Sequence, residues 1–197
     1  MDRCRLSALA LAVLLVLAGG CDQSRYPADP GLAGDALGLG LVLDMDERQA
    51  RDTADEKANI KIEILSRDEL NERNPYTDRD PNRDLVVGIY TPYDAGAVMA
   101  DGPAFNHLAE LRCYLAAPGD SRLKLLGQPV ATMAPADVMD LCGEPLETVT
   151  GNDGVIHLTF RFELPKEHAA RDWAVLELVT SHTSAGCHAL ALSLQLK

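Results

Sequence analysis

At 197 residues, 47% of them hydrophobic and 24% charged, the chain is long enough for one domain with its own core and too apolar to be disordered throughout. A formal net charge of −12, from 30 Asp+Glu against 18 Lys+Arg, is repelled by phosphates and excludes nucleic acid as an expected partner. The sequence contains no P-loop, H-E-x-x-H, G-x-S-x-G or dinucleotide-binding glycine motif, so no catalytic residue and no cofactor is expected.

The chain opens with Arg3 and Arg5, an apolar run over 6–18, and the small residues Gly19 and Gly20 before Cys21. A basic start, a greasy middle and a small-residue end describe a removable secretory signal. The run is shorter than the roughly 20 residues a membrane-spanning helix needs. Small residues followed directly by cysteine resemble the lipobox of bacterial lipoproteins, with Ala18 where the commonest form has Leu and Leu17 one place earlier. The resemblance covers residues 1–21. It implies cleavage of 1–20, with lipid carried on the sulfur and amine of Cys21 and a domain facing the periplasm. Asp22, next in sequence, implies retention in the inner membrane by the sorting rule of some enterobacterial lipoproteins. Losing two arginines and one aspartate with the signal takes the formal balance from −12 to −13. Contact with the bilayer is then expected from the lipid on Cys21 alone, since several acyl chains hold a protein stably.

Residues 22–37 carry two prolines, two glycines and three aspartates, the composition of a flexible linker. The domain is therefore expected over 38–197, with 21–37 as the lipid-anchored tether. In 39–45 leucines alternate with smaller residues and predict a strand that Gly38 and Gly40 weaken. The charged stretch 46–57 has Glu47–Arg51 and Arg51–Asp55 at helical spacing and suits a short solvated helix or a loop. Ile60, Ile62 and Ile64 alternate with Lys61 and Glu63, a half-buried strand. Residues 67–84 lack apolar periodicity and read as an acidic loop. Strands follow at 85–91, 108–115 and 122–127, then a short helix from Pro135 to a stop at Gly143. Strict alternation over 155–164, and strands at 173–180 and 189–196, complete the chain. Many short strands between turn-rich loops predict an all-β, mainly antiparallel domain with one short helix, a β-sandwich immunoglobulin-like in architecture.

Two places invite chemistry. Asp68, Glu69, Glu72, Asp78, Asp80 and Asp84 crowd between two predicted strands, and Ca²⁺ takes six to eight such oxygens. The order strand, acidic loop, Asn-Pro-Tyr, strand is similar to the first calcium loop of C2 domains, without their second acidic loop unless Asp153 serves. Arg67, Arg73, Arg79 and Arg83 are interleaved and favour a salt-bridged, solvated loop instead. His182, Cys187 and His188 are metal-ligand types, but their spacing fits no metal motif. Of the five cysteines, Cys4 leaves with the signal and Cys21 takes lipid. In an oxidising compartment one bridge is expected, Cys142–Cys187, with Cys113 buried as a small hydrophobe. The anchor, the tether and the strand pattern lead to a periplasmic lipoprotein that is a non-catalytic protein-interaction module of the cell envelope, its partner an envelope protein. The alternatives are a metal- or small-ligand-binding lipoprotein and an envelope hydrolase.

Overall fold

The structure, a computed structural model, describes residues 26–54, 59–72, 75–77, 79–92, 106–164 and 173–196. The expected signal peptide, Cys21 and the candidate ligand Asp78 lie outside them. The described residues are mostly strand: β1 Ile60–Ser66, β2 Asp84–Pro92, β3 Asn106–Tyr114, β4 Lys124–Leu125, β5 Gln128–Pro129, β6 Glu147–Thr150, β7 Ile156–Glu163, β8 Trp173–Thr183 and β9 Gly186–Leu196. Three short helices accompany them, α1 Glu47–Thr53, α2 Arg67–Glu72 and α3 Pro135–Cys142, with a 3₁₀ turn at Val130–Thr132. No described helix is long and apolar enough to cross a membrane.

Seven strands form one sheet in the order β1-β2-β3-β9-β8-β7-β6, and β4–β5 is a separate two-stranded ribbon. Only β1 and β2 pair in parallel; every other neighbour is antiparallel. The expected pair of stacked sheets is therefore corrected to a single sheet. Its ladder stays continuous because β9 returns beside β3 after the excursion through β4 to β8. A parallel pair needs a crossover, and residues 67–83 supply it with α2.

Alternation along each strand gives the sheet two unlike faces. On the inner face, one rung runs Ile64, Gly88, Leu111, Leu192, Leu178 and Phe160 across six strands. The layer over this face is irregular. It consists of the N-terminal segment around Leu32–Leu43, the β4–β5 ribbon, the 3₁₀ turn and α3, all in one core cluster with the sheet. Burying one such Leu or Phe contributes roughly 1.5–3 kcal/mol.

This layer corrects two expectations. The segment expected to be a tether reaches the core from Leu32 onward, where Leu32, Ala33, Ala36 and Leu37 are buried. Its aspartates serve as turn caps. The amides of Leu32 and Ala33 donate to the Asp29 carboxylate at 2.7 and 2.9 Å, and that of Leu39 donates to Asp35 at 2.8 Å. The strand expected over 39–45 is absent for the same segment. Leu39, Leu41 and Leu43 are buried, but Gly38, Gly40 and Asp44 adopt positive φ and bend the chain between them.

Among the described residues, the outer face is covered over only part of its width. At β1–β2, Leu65, Leu85, Val87 and Ile89 form a second core beneath Leu70 of α2 and Tyr76. The helix itself follows from a capping box. The Glu69 amide donates to Ser66 Oγ at 3.0 Å, and the Ser66 amide donates back to Glu69 Oε2 at 2.6 Å.

Candidate functional site

Beyond Tyr114 the outer face is partly open, and its composition follows from register. Arg112 and Glu110 of β3 lie opposite Ala191 and Ser193 of β9, which lie opposite Val179 and Glu177 of β8. Glu177 in turn faces Arg161 of β7. Long charged side chains therefore stand on β3 and on β8–β7, and small ones stand between them on β9. The result is a trough of about 470 Å³ floored by Ala191 and Ser193. One bank is Glu110, held by Arg112 through Nε at 2.6 Å and through a second guanidinium nitrogen at 3.1 Å, with Arg67 at 3.9 Å. The other bank is Glu177, bonded to Arg161 Nε at 2.7 Å. The paired hydrogen bonds that Arg112 donates to Glu110 push its guanidinium further above its ordinary range. Both carboxylates are mostly buried and each is matched by a cation, so the trough is polar without a large local charge.

At one end of the trough the next rung runs Tyr114, Ala189, Ser181 and His157. His157 Nδ1 lies 2.9 Å from Ser181 Oγ. His188 sits in the β8–β9 irregularity nearby, where burial and the neighbouring His157 lower its pKa. Tyr114 packs on Tyr76 with ring centroids 4.6 Å apart and beneath Arg79, and burial pushes its phenol up to about 12.

The residues singled out in the sequence fall elsewhere. His182 turns to the inner face, fully buried. Its Nδ1 lies 3.1 Å from the Met133 carbonyl, which can only accept, so Nδ1 carries the proton and Nε2 accepts from Thr180 Oγ1 at 2.9 Å. Cys187 pairs with His182 across the hairpin and is buried with it, and the two make no ligand group with His188. The expected Cys142–Cys187 bridge is not formed: Cys113, Cys142 and Cys187 are free and buried. Cys142 ends α3 and feels the charge of Asp29, whereas Cys187 faces the core near Cys113 on β3. Burial pushes the Cys142 and Cys187 thiols up to about 11, so neither is a ready nucleophile.

The acidic residues are likewise dispersed. Asp68, Glu69 and Glu72 lie on exposed α2, and Asp80 accepts from the Asn82 amide at 2.9 Å in a local turn. Asp84 is wholly buried, and its carboxylate accepts from the amides of Ala116, Arg122 and Leu123. Its oxygens face the β3–β4 connection and not α2. Among the described residues no group of three His, Cys, Asp or Glu side chains is placed to hold a metal.

His182 makes stability pH-dependent. Burial lowers its folded-state pKa below the ordinary 6.5, so the folded protein binds fewer protons than the unfolded chain. This contribution is complete above pH ~6.5 and is lost as pH falls through the lowered value. The melting temperature is expected to drop between pH 7.5 and 5, with a smaller drop in His182→Gln. Equal pH slopes for the two proteins would remove this role.

The chain matches no protein-family model, and no curated protein or solved structure is significantly similar to it.

Proposed function

We propose that the chain is a periplasm-facing lipoprotein, anchored by acylated Cys21, whose domain is a non-catalytic protein-interaction module. Asp22 places it at the inner membrane in this reading. The observation that carries the interaction role is the unequal treatment of the outer sheet face. Leu70 and Tyr76 seal it over β1–β2, while a trough stands open over β3, β9 and β8. Its floor is small and its banks are internally paired ions, so a partner would meet a preformed concave surface. Polar surfaces of this kind suit wet, non-obligate interfaces with an envelope protein.

Two measurements test the reading. Metabolic labelling with a fatty-acid analogue is expected to mark the wild type and not Cys21→Ser. Filling the floor with Ala191→Arg and Ser193→Arg is expected to leave the fold intact and reduce recovery of a stoichiometric partner from detergent-solubilised membranes by about tenfold, the equivalent of ~1.4 kcal/mol. Equal recovery with wild type and the filled variant would overturn the assignment of this face.

One contact favours a second reading as an envelope hydrolase. Ser181 Oγ and His157 Nδ1 are within the distance a nucleophile and its base require. Turnover of an ester probe by the wild type and its loss in Ser181→Ala would establish that reading instead.

A further inference from the structure

The opposite edge of the sheet differs from the trough in chemistry and in its relation to the chain start. β6 is the edge strand, pairing only with β7. The exposed large hydrophobic side chains among the described residues are Leu146, 57% exposed, and Val149, 46% exposed, and both belong to this edge. Beside them lies a cleft of about 410 Å³ whose rim is Tyr26, Pro27, Pro145 and Leu146, with Phe160 and Phe162 beneath. The first described residues of the chain are therefore part of the patch. They are fixed there: the Glu163 amide donates to the Pro27 carbonyl at 2.9 Å, Ala28 bridges to Glu163, and Tyr26 bonds the Arg161 side chain.

We infer that this edge docks on the bilayer, with Leu146 and the rim of the cleft set into a layer of zwitterionic headgroups. The inference rests on the lipid anchor at Cys21. Tyr26 is five positions after Cys21, and a fully extended chain spans at most ~3.6 Å per step, or about 18 Å. Whatever path the chain takes, Tyr26 stays within that distance of the acylated sulfur. Leu146 shares the rim of the cleft with Tyr26, and Val149, opposite His157, stands further along the same edge. Setting apolar side chains some 5–10 Å into the headgroup and acyl boundary is the usual mode of such contacts. Glu144 and Glu147 flank the patch, and anionic headgroups would repel them, so the surface fits phosphatidylethanolamine or phosphatidylcholine. The β8–β9 turn at Ser184 lies beyond the Ile156 end of β7, roughly 23 Å at ~3.3 Å per step from Glu163, where Pro27 and Ala28 attach. Docking therefore holds the domain in one orientation, with the β8–β9 turn directed away from the bilayer.

The test uses the acylated full-length protein in vesicles of phosphatidylethanolamine and phosphatidylcholine that contain a headgroup-attached quencher. The described native thiols are buried, so a fluorescent thiol reagent reports Leu146→Cys, Val149→Cys or Ser184→Cys selectively. Quenching is expected to be several-fold stronger at position 146 than at 184, with 149 between them. Equal quenching at all three positions on a protein shown to carry lipid would overturn the docking and leave the anchor standing. Failure of the fatty-acid analogue to label the wild type would overturn both. Protection of position 146 without quenching, accompanied by a doubled mass in detergent, would assign the edge to a second copy of the chain and overturn the lipid contact.

Discussion

Asp84→Ala is expected to destabilise the domain by about 3–5 kcal/mol, the larger part of the margin of a typical domain. Asp84 opens β2 and is completely buried. Its carboxylate accepts three backbone amides, from Ala116 at 2.9 Å, Arg122 at 2.7 Å and Leu123 at 3.1 Å. Those amides bracket the connection from β3 to the β4–β5 ribbon, which carries Leu123 and Leu125 into the core. Alanine would leave the buried amides of Ala116 and Leu123 without an acceptor. Each unsatisfied buried group costs roughly 1–3 kcal/mol, and bonds to a charged acceptor are the stronger kind. Asp84→Asn retains one carbonyl oxygen but turns an NH₂ group toward a donor, so about 2 kcal/mol is expected there. Thermal melting followed by circular dichroism reads both; at this size 1 kcal/mol moves the midpoint by about 2–4 °C. A midpoint for Asp84→Ala within 2 °C of wild type would refute the assigned role.

Asp84 also shows where sequence reasoning reaches and where it stops. Period-two alternation is a local property, and apart from the one over 39–45, where positive-φ residues bend the chain, the strands it marks are present. Ile60, Ile62 and Ile64 are buried on β1, and Leu158, Phe160 and Phe162 on β7. The short helix begins at Pro135 and stops before Gly143, as the turn chemistry of those residues requires. Cys113 is buried, as its place among apolar neighbours implied. Register is not local. No spacing shows that Arg161 meets Glu177, or that Ala191 and Ser193 stand between two charged banks, because those neighbours are set by which strands pair. Asp84 looks like one acid in an acidic run, yet its partners are 32 to 39 residues ahead. The N-terminal segment misleads for another reason. Proline, glycine and aspartate mark turns in a packed layer as readily as in a free linker, and burial of Leu32 decides between them. One local signal does locate α2 within the acidic stretch: Ser66 and Glu69 have the spacing of a capping box.

Gly186→Ala is expected to cost about 2–5 kcal/mol through a contact that no side chain makes. Gly186 begins β9 with φ of 126° and pairs with Thr183 across the hairpin. A β-carbon there would run into the carbonyl oxygen of Ala131 in the 3₁₀ turn, with the carbonyl carbons of Ala131 and Thr132 close behind. These are backbone atoms, so no rotamer change relieves the overlap. The turn is also unable to retreat cheaply. Val130 and Ala131 are buried in the core, and the Val130 amide donates to the Leu123 carbonyl at 3.2 Å. One residue on, the Met133 carbonyl accepts the proton of buried His182. Moving the turn would open packing and orphan an imidazole together. Overpacking of this kind costs about 1–3 kcal/mol, and an L side chain at positive φ adds roughly 1–2. Gly154→Ala separates the two contributions, because Gly154 also has positive φ, 79°, with nothing near its missing β-carbon. Denaturant unfolding of both variants should show Gly186→Ala weaker than Gly154→Ala by at least ~1 kcal/mol, the low end of the overpacking range. Equal losses would mean that backbone conformation alone sets the cost and that the Ala131 contact yields without strain.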